Sequence, residues 1–101
     1  MAVSIASVVE KEILRPLWKV HILHHASETP IVGHWMLEEL REHGYRVSPG
    51  TLYPLLGRMV RLGWLNHDQR GRYRATADGR RALTEVRTRL RELQGEVVEK
   101  F

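Results

Sequence analysis

The segment from Ser48 to Gly63 constrains the fold more strongly than any other part of this chain. It opens with Ser48-Pro49, a pair typical of a helix start, because serine can cap free amide groups and proline suits the first helical position. Apolar residues then recur at helical spacing, at Leu52, Leu55, Leu56, Met59 and Val60. The segment therefore predicts a helix over Ser48–Arg61 that buries one face and ends at Gly63.

The other face of this predicted helix is polar and basic. Its exposed positions are expected to be Thr51, Tyr53, Pro54, Gly57, Arg58 and Arg61. Pro54 is unusual there, since its ring would crowd the carbonyl group of Gly50, and we expect a local distortion near the helix start.

Two short extended runs follow the helix. Trp64–His67 and Arg72–Thr76 flank a turn at Asp68–Gly71, which predicts a two-stranded antiparallel ribbon. Alternation along the second run places Arg72 and Arg74 on one face, and Tyr73 and Ala75 on the other.

Two helices are predicted ahead of Ser48. Ile13–Ala26 is apolar almost all round and is expected to be buried, with Pro16 either kinking it or starting a new helix. After a break at Ser27–Pro30, a second helix should run from about Ile31 to His43, where Gly44 fits a left-handed cap. Its apolar stripe is Trp35, Met36, Leu37 and Leu40, with Glu38, Glu39, Arg41 and Glu42 facing solvent.

A long helix is predicted from about Ala77 to Glu99. Thr76 can cap it, and Asp78 places a negative charge in the first turn, where the helix dipole favours it. Its apolar residues are spaced alternately three and four apart, at Leu83, Val86, Leu90, Leu93 and Val97. This heptad seam is narrower than an ordinary core face and indicates dimerisation.

Length and composition fit one compact unit. A chain of 101 residues predicts one domain, in which residues 77–101 form the dimerisation helix and residues 1–76 form the rest of the same unit. The chain has no cysteine, which excludes disulfides and thiolate metal sites. The sequence shows no signal pattern and no membrane-length apolar run, so we expect a cytoplasmic protein with no membrane partner.

Positive charge is concentrated in the middle of the chain. Residues 41–81 hold nine arginines and three acidic residues, whereas the rest of the chain has a small negative balance. The predicted class is thus mostly α with a small two-stranded antiparallel β-wing, a winged helix-turn-helix plus a long C-terminal helix. In such a fold the basic helix enters the major groove of double-stranded DNA and the ribbon reaches phosphates or the minor groove. Residues 1–76 are therefore expected to form a winged-helix DNA-binding domain.

Three blocks of this sequence resemble the PadR family of transcriptional regulators. The first is Ser48–Leu56 with Arg58-Met59 and Gly63-Trp64-Leu65, the second is Arg72–Arg80, and the third is Leu14–Trp18. The resemblance covers about residues 13–90 and implies a winged-helix homodimer, usually a repressor and often released by a small-molecule inducer. The chain is similar to the short branch of that family, which dimerises through one C-terminal helix. Gly33-His34 departs from the Gly-Tyr pair of many members.

The resemblance also implies roles for individual residues. Ser48, Thr51 and Tyr53 are expected near the DNA backbone and base edges, and Arg58 and Arg61 are expected to reach phosphates or a guanine. Arg70 and Arg72 are expected to serve the wing.

Two other classes of function are an enzyme and a protein-binding adaptor. An enzyme is not expected, because the sequence lacks a glycine-rich phosphate loop, a nucleophile with a nearby base and a metal-ligand set. A winged-helix adaptor that binds protein and not DNA remains an alternative, which salt-sensitive binding to duplex DNA would exclude.

The histidines and tryptophans also allow two interpretations. His21 and His25 are four residues apart and His24 adjoins them, but no acidic or cysteine ligand is near in sequence. We therefore expect core or interface histidines, with no metal and no cofactor; zinc-dependent DNA binding that EDTA abolishes would indicate a metal. For the three tryptophans, core packing is favoured over an aromatic ligand pocket, at Trp18, Trp35 and Trp64.

Overall fold

The computed structural model describes residues 4–99, which contain five α-helices and a three-stranded sheet. In chain order the elements are α1 (Ile5–Val9), α2 (Trp18–Glu28), β1 (Ile31–Val32), α3 (Gly33–Glu42), α4 (Pro49–Arg61), β2 (Leu65–His67), β3 (Arg72–Ala75) and α5 (Ala77–Leu93). A π-helical turn and a 3-10 turn connect α1 to α2, at Glu10–Leu14 and Arg15–Leu17, and a π-helical turn at Gln94–Val98 extends α5. The mostly helical class is confirmed. Within residues 4–99, none of the helices has both the length and the apolar character that a bilayer span requires.

The sheet has one more strand than the sequence predicted. Its order is β1-β3-β2, with Ile31 opposite Tyr73 and Leu65 opposite Ala75, and both pairings are antiparallel. The prediction that α3 starts near Ile31 is therefore wrong by two residues. Ile31 and Val32 are β-branched and find backbone partners on β3, so they extend the sheet before the helix begins at Gly33.

The N-terminal helical segment is longer and less buried than predicted. Helical backbone begins at Ile5, and Pro16 lies in the first turn of the 3-10 helix, one of its two expected positions. Trp18, on α2, is buried, whereas Ile13 is 62% exposed. All-round burial of this segment is thus wrong for Ile13, because nothing within residues 4–99 covers its outer side.

The core lies between α2, α3, α4 and the sheet. Its largest fully buried side chains are Trp18, Ile22, Met36, Leu40, Leu52, Leu56, Met59 and Leu65. Core packing is confirmed for Trp18 and, in part, for Trp64, which packs against this cluster. It is wrong for Trp35, which is 43% exposed and meets the ring of His25 edge-on.

Glycines end α3 and α4 in the same way. Gly44 and Gly63 have φ angles of 91° and 81°, in the left-handed region that glycine adopts without strain. The next amide in each case reaches back into the helix, from Tyr45 to the carbonyl of Leu40 and from Trp64 to the carbonyl of Met59. Both predicted helix ends are confirmed.

The start of α5 is fastened to the turn between α4 and β2 by Thr76. Its amide donates to the Trp64 carbonyl at 3.0 Å, and its hydroxyl donates to the Gly63 carbonyl. The same hydroxyl accepts from the amide of Gly79 at 3.0 Å, which confirms the predicted cap. Gly79 lies so close that a Cβ there would overlap the Trp64 carbonyl oxygen. We refer to Gly63, Trp64, Thr76 and Gly79 as the Thr76 joint.

Gly79→Ala should therefore destabilise the protein, although alanine is the better helix former. Forcing apart the Thr76 joint should reduce the free energy of unfolding by about 2–3 kcal/mol, as overpacking of a tight contact does. Urea denaturation followed by circular dichroism measures this change. Gly95→Ala is the matched control, because nothing lies within 4 Å of a Cβ at that position; equal effects of the two changes would contradict the steric argument.

Candidate nucleic-acid interface

The outward face of α4 carries the residues that the sequence singled out. Successive residues of a helix are turned by about 100°, which places Thr51, Arg58 and Arg61 on one broad arc. All three side chains are exposed, whereas Leu52, Leu56 and Met59 on the opposite arc are buried. The helix continues through Pro54, so the expected distortion does not interrupt it.

The first turn of α4 leaves one amide open to a partner. Pro49 has no N–H and the Thr51 amide donates to the Ser48 carbonyl at 3.1 Å, so within residues 4–99 the Gly50 amide is the one without a hydrogen bond. Ser48 takes the N-cap position with an extended backbone, as predicted, but its hydroxyl is 3.1 Å from the Thr51 hydroxyl and caps no backbone amide. The Gly50 amide and the helix dipole make this end electropositive. It suits a DNA phosphate, with Ser48 and Thr51 at its edge.

Tyr53 lies at the margin of the outward face and also has a packing role. Its ring covers Gly33 so closely that a Cβ there would overlap it, yet Tyr53 remains 45% exposed. Burial raises the pKa of Tyr73, and the neighbouring Tyr53 raises it further. Tyr53 therefore joins α4 to the start of α3 and the sheet while keeping one edge accessible.

Basic residues from outside the predicted site surround the first turns of α4. Lys11, Arg15 and Lys19 line a groove that Thr51 and Arg58 also line. Arg46 and Arg41 join Arg15 around Ser48 in an adjoining hollow. We call Lys11, Arg15, Lys19 and Arg46 the basic flank. The first three are four residues apart, which places them on one helix face and was the sequence signal that could have identified them.

The connection from α3 to α4 is held by polar contacts at both ends. Arg41 donates from Nε to the Val47 carbonyl at 3.1 Å. The Arg46 amide donates to a carboxylate oxygen of Glu10 at 3.1 Å, which attaches the connection to the N-terminal segment. These contacts position the Arg46 side chain beside the start of α4.

The turn between β2 and β3 is organised by one carboxylate. Asp68 accepts hydrogen bonds from the amides of Arg70 and Arg72 at 2.9 Å, and from Nε of Arg72 at 2.8 Å. The Arg72 amide, above all, holds the pKa of this carboxyl below its usual range. Arg70 is exposed at the tip of the turn, whereas the Arg72 side chain is partly engaged by Asp68. Arg74 is also exposed on β3, but it was not among the predicted site residues.

Residues 22–85 match the model of the transcriptional regulator PadR-like family. The chain belongs to this family. It is 50% identical over 95 residues to the transcriptional regulator Rv3488 of Mycobacterium tuberculosis, covering 87% of this chain and 89% of the relative. An X-ray structure of a PadR-like transcription factor from Bacteroides fragilis superposes with a TM-score of 0.73 at 25% identity, covering 88% of this chain and 94% of that one.

Family membership establishes the class of function. This PadR-like protein is a DNA-binding transcriptional regulator with a winged-helix fold, and its role is not enzymatic. The predicted family and the predicted absence of enzyme activity are thereby confirmed. The DNA contacts of individual residues stay predictions.

The predicted dimerisation residues on α5 occupy two different environments. Leu83 is 3% exposed and belongs to the core of its own chain, and Val86 is partly buried. Leu90, Leu93 and Val97 are 39%, 53% and 54% exposed. The seam is thus open to a partner only in its second half.

The wing turn should lose its order in acid. Because hydrogen bonds favour the charged carboxylate of Asp68, its folded pKa is depressed, and these bonds persist until the pH falls through that value. The amide resonances of Arg70 and Arg72 in NMR spectra should therefore titrate with a midpoint below about 4, the ordinary aspartate value. In the control variant Asp68→Asn they should not titrate. A wild-type midpoint at or above 4, in protein that is otherwise native, would contradict this account of the turn.

Proposed function

We propose that two copies of this chain form a repressor that binds a pseudo-palindromic operator and is released by a small apolar ligand. The observation that carries the proposal is a row of exposed apolar side chains on the terminal helices. On the N-terminal segment these are Ile5, Val8 and Ile13, and on the C-terminal helix they are Leu90, Leu93, Val97 and Val98, each between 39% and 83% exposed. Water-exposed apolar rows of this extent are typical of a protein interface.

A second copy of this chain suits these apolar rows best. Heptad spacing from Leu90 to Val97 is the pattern by which one helix packs along another of its kind. The seam is too short for an independent coiled coil, so the N-terminal helices would complete the interface. Two copies that pair through the same surface are related by a two-fold axis. This axis matches the symmetry of a palindromic operator.

In the proposed complex, α4 of each copy enters the major groove, with the two grooves about 34 Å apart along the DNA. Ser48, Thr51 and Tyr53 lie at the end that approaches the backbone and base edges. Arg58 and Arg61 reach phosphates or a guanine, and Arg70 and Arg72 carry the wing.

The basic flank adds contacts that the sequence prediction lacked. Arg15 and Arg46 lie beside the first turn of α4, where a phosphate would meet the Gly50 amide, the positive helix end and guanidinium groups. Lys11 and Lys19 extend the same surface along the N-terminal segment. Phosphate contacts of this type set register and affinity and carry no sequence information.

A ligand response is supported by a cavity between α2 and α5. It measures about 410 Å³ and is lined mainly by apolar side chains, including Leu17, Val20, Tyr45, Leu83 and Leu90. This volume falls within the range of small-molecule sites. Leu90 belongs both to this cavity and to the exposed seam, so a bound ligand would shift α5 and change the separation of the two α4 helices.

Arg58→Ala should weaken operator binding by about 1–3 kcal/mol if Arg58 reads a base. The measurement is a gel-shift titration on the operator selected from random DNA, at fixed salt. Arg89→Ala is the control, because Arg89 is exposed on α5 and pairs with Glu92. Unchanged affinity in Arg58→Ala would exclude the base-reading role.

Leu90→Glu should convert the dimer into monomers and abolish operator binding together. A charge on the seam would remain unpaired and buried in the dimer interface, which is strongly unfavourable. Light scattering at micromolar concentration measures the change, with circular dichroism to verify the fold. Thr88→Glu, on the opposite side of α5, should remain dimeric. A wild-type protein that is monomeric under these conditions would refute the homodimer.

A further inference from the structure

Side chains from α2 and α3 converge beside the core in a cluster that the DNA-binding function does not use. His21 and His25 lie one turn apart on α2, while Glu39 lies on α3 and His43 caps its end. One ring nitrogen from each of the three histidines lies within 4.8 Å of the others. The sequence placed Glu39 in solvent; the fold turns it toward the histidines, with 21% of its side chain exposed.

We propose that His21, His25, His43 and Glu39 form a binding site for one divalent transition-metal ion of the zinc class. Three imidazoles and a carboxylate are ligands that Zn²⁺ and its neighbours accept in tetrahedral sites. The proposal goes beyond DNA binding and does not depend on it. It also replaces the expectation that these histidines only pack.

The separations around Glu39 already fit such an ion. Its Oε1 is 3.4 Å from Nε2 of His25 and 3.2 Å from Nε2 of His43. Ligand atoms about 2.1 Å from a tetrahedral zinc ion are about 3.4 Å apart. The three histidine nitrogens, within 4.8 Å of one another, would come to this spacing by small side-chain rotations. The outer partner that orients the His21 ring is the Tyr45 hydroxyl, 2.9 Å from its Nε2.

The electrostatics of the cluster favour a cation. Within residues 4–99, the ion pairs of Glu39 are with His25 and His43, and with neither lysine nor arginine. Glu39 supplies the cluster's one carboxylate, and the three imidazole rings supply nitrogen donors beside it. His43 is 49% exposed and leaves a path for the ion to enter.

A second group of possible metal ligands is His24, His25 and Glu28, whose ligand atoms lie within 4.8 Å of one another. Glu28 is three residues from His25, so the argument that no acidic ligand is near in sequence was wrong. Both groups need His25 as a ligand, so the two sites cannot be occupied at the same time. His24 and Glu28 are 44% and 64% exposed and lie on one helix turn as an ordinary surface pair. The cluster around Glu39 is better placed, because it joins two helices and shields its carboxylate.

An ion at this position would fasten α2 to the end of α3. Since α3 packs against α4, the attachment would stiffen the support of the DNA-binding helix. Binding to the native state alone also stabilises it, so the unfolding temperature should rise by about 10 °C at a hundredfold excess of Zn²⁺ over its dissociation constant.

The test uses the full chain without a polyhistidine tag, stripped with a chelator and titrated with Zn²⁺ against a chromophoric competitor. We expect one Zn²⁺ per chain, and Co²⁺ in its place should give the intense visible absorption of tetrahedral coordination. His43→Gln and Glu39→Gln should each weaken binding by about tenfold or more. His34→Gln is the control, because His34 is exposed on α3 outside the cluster; its affinity should be unchanged.

Three results would overturn the site. They are no Zn²⁺ binding by the stripped chain, equal affinities in His43→Gln and the parent, and loss of binding in His24→Gln but not in His43→Gln. The last result would place the ion on the surface group of α2. Because none of these measurements uses DNA, failure of the operator-binding proposal would leave them unaffected.

Discussion

The relative positions of α4, the sheet and α5 depend on the Thr76 joint. Thr76 bonds to the carbonyls of Gly63 and Trp64 and caps α5 through the Gly79 amide. The end of α4, the start of β2 and the direction of α5 are therefore set at one place. The distance between α4, proposed to enter the major groove, and α5, proposed to form the dimer, is fixed in the same way. The proposed dimer would therefore present its two α4 helices at a defined spacing.

The parts predicted correctly from sequence are those governed by neighbouring residues. Gly44 and Gly63 end their helices because only a left-handed residue lets the next amide reach back, and Thr76 caps α5 through an amide three residues away. Strand β1 was missed because its partner, β3, lies 40 residues further along the chain. Trp35 was wrongly predicted to lie in the core, because the spacing of apolar residues on a helix does not show how far the neighbouring helices extend.

The same distinction holds for the two candidate sites. Thr51, Arg58 and Arg61 were identified because one helix carries them. The basic flank was missed because folding brings it to α4 from the N-terminal segment and the α3–α4 connection. Glu39 was assigned to solvent for a similar reason: its histidine partner on α2 is 14 residues away, and only the crossing of α2 and α3 brings the two together.

The order of the strands has a consequence for how this protein associates. With β3 in the middle, the two free edges of the sheet belong to β1 and β2, which have only two and three residues. Edges this short offer too few unpaired backbone groups to recruit a strand from another molecule. Open-ended aggregation by strand addition at the sheet edges is thus prevented, although the terminal helices expose apolar residues. Copies of this chain that meet on DNA therefore have the terminal helices as their apolar surface for association, which is the surface of the proposed dimer.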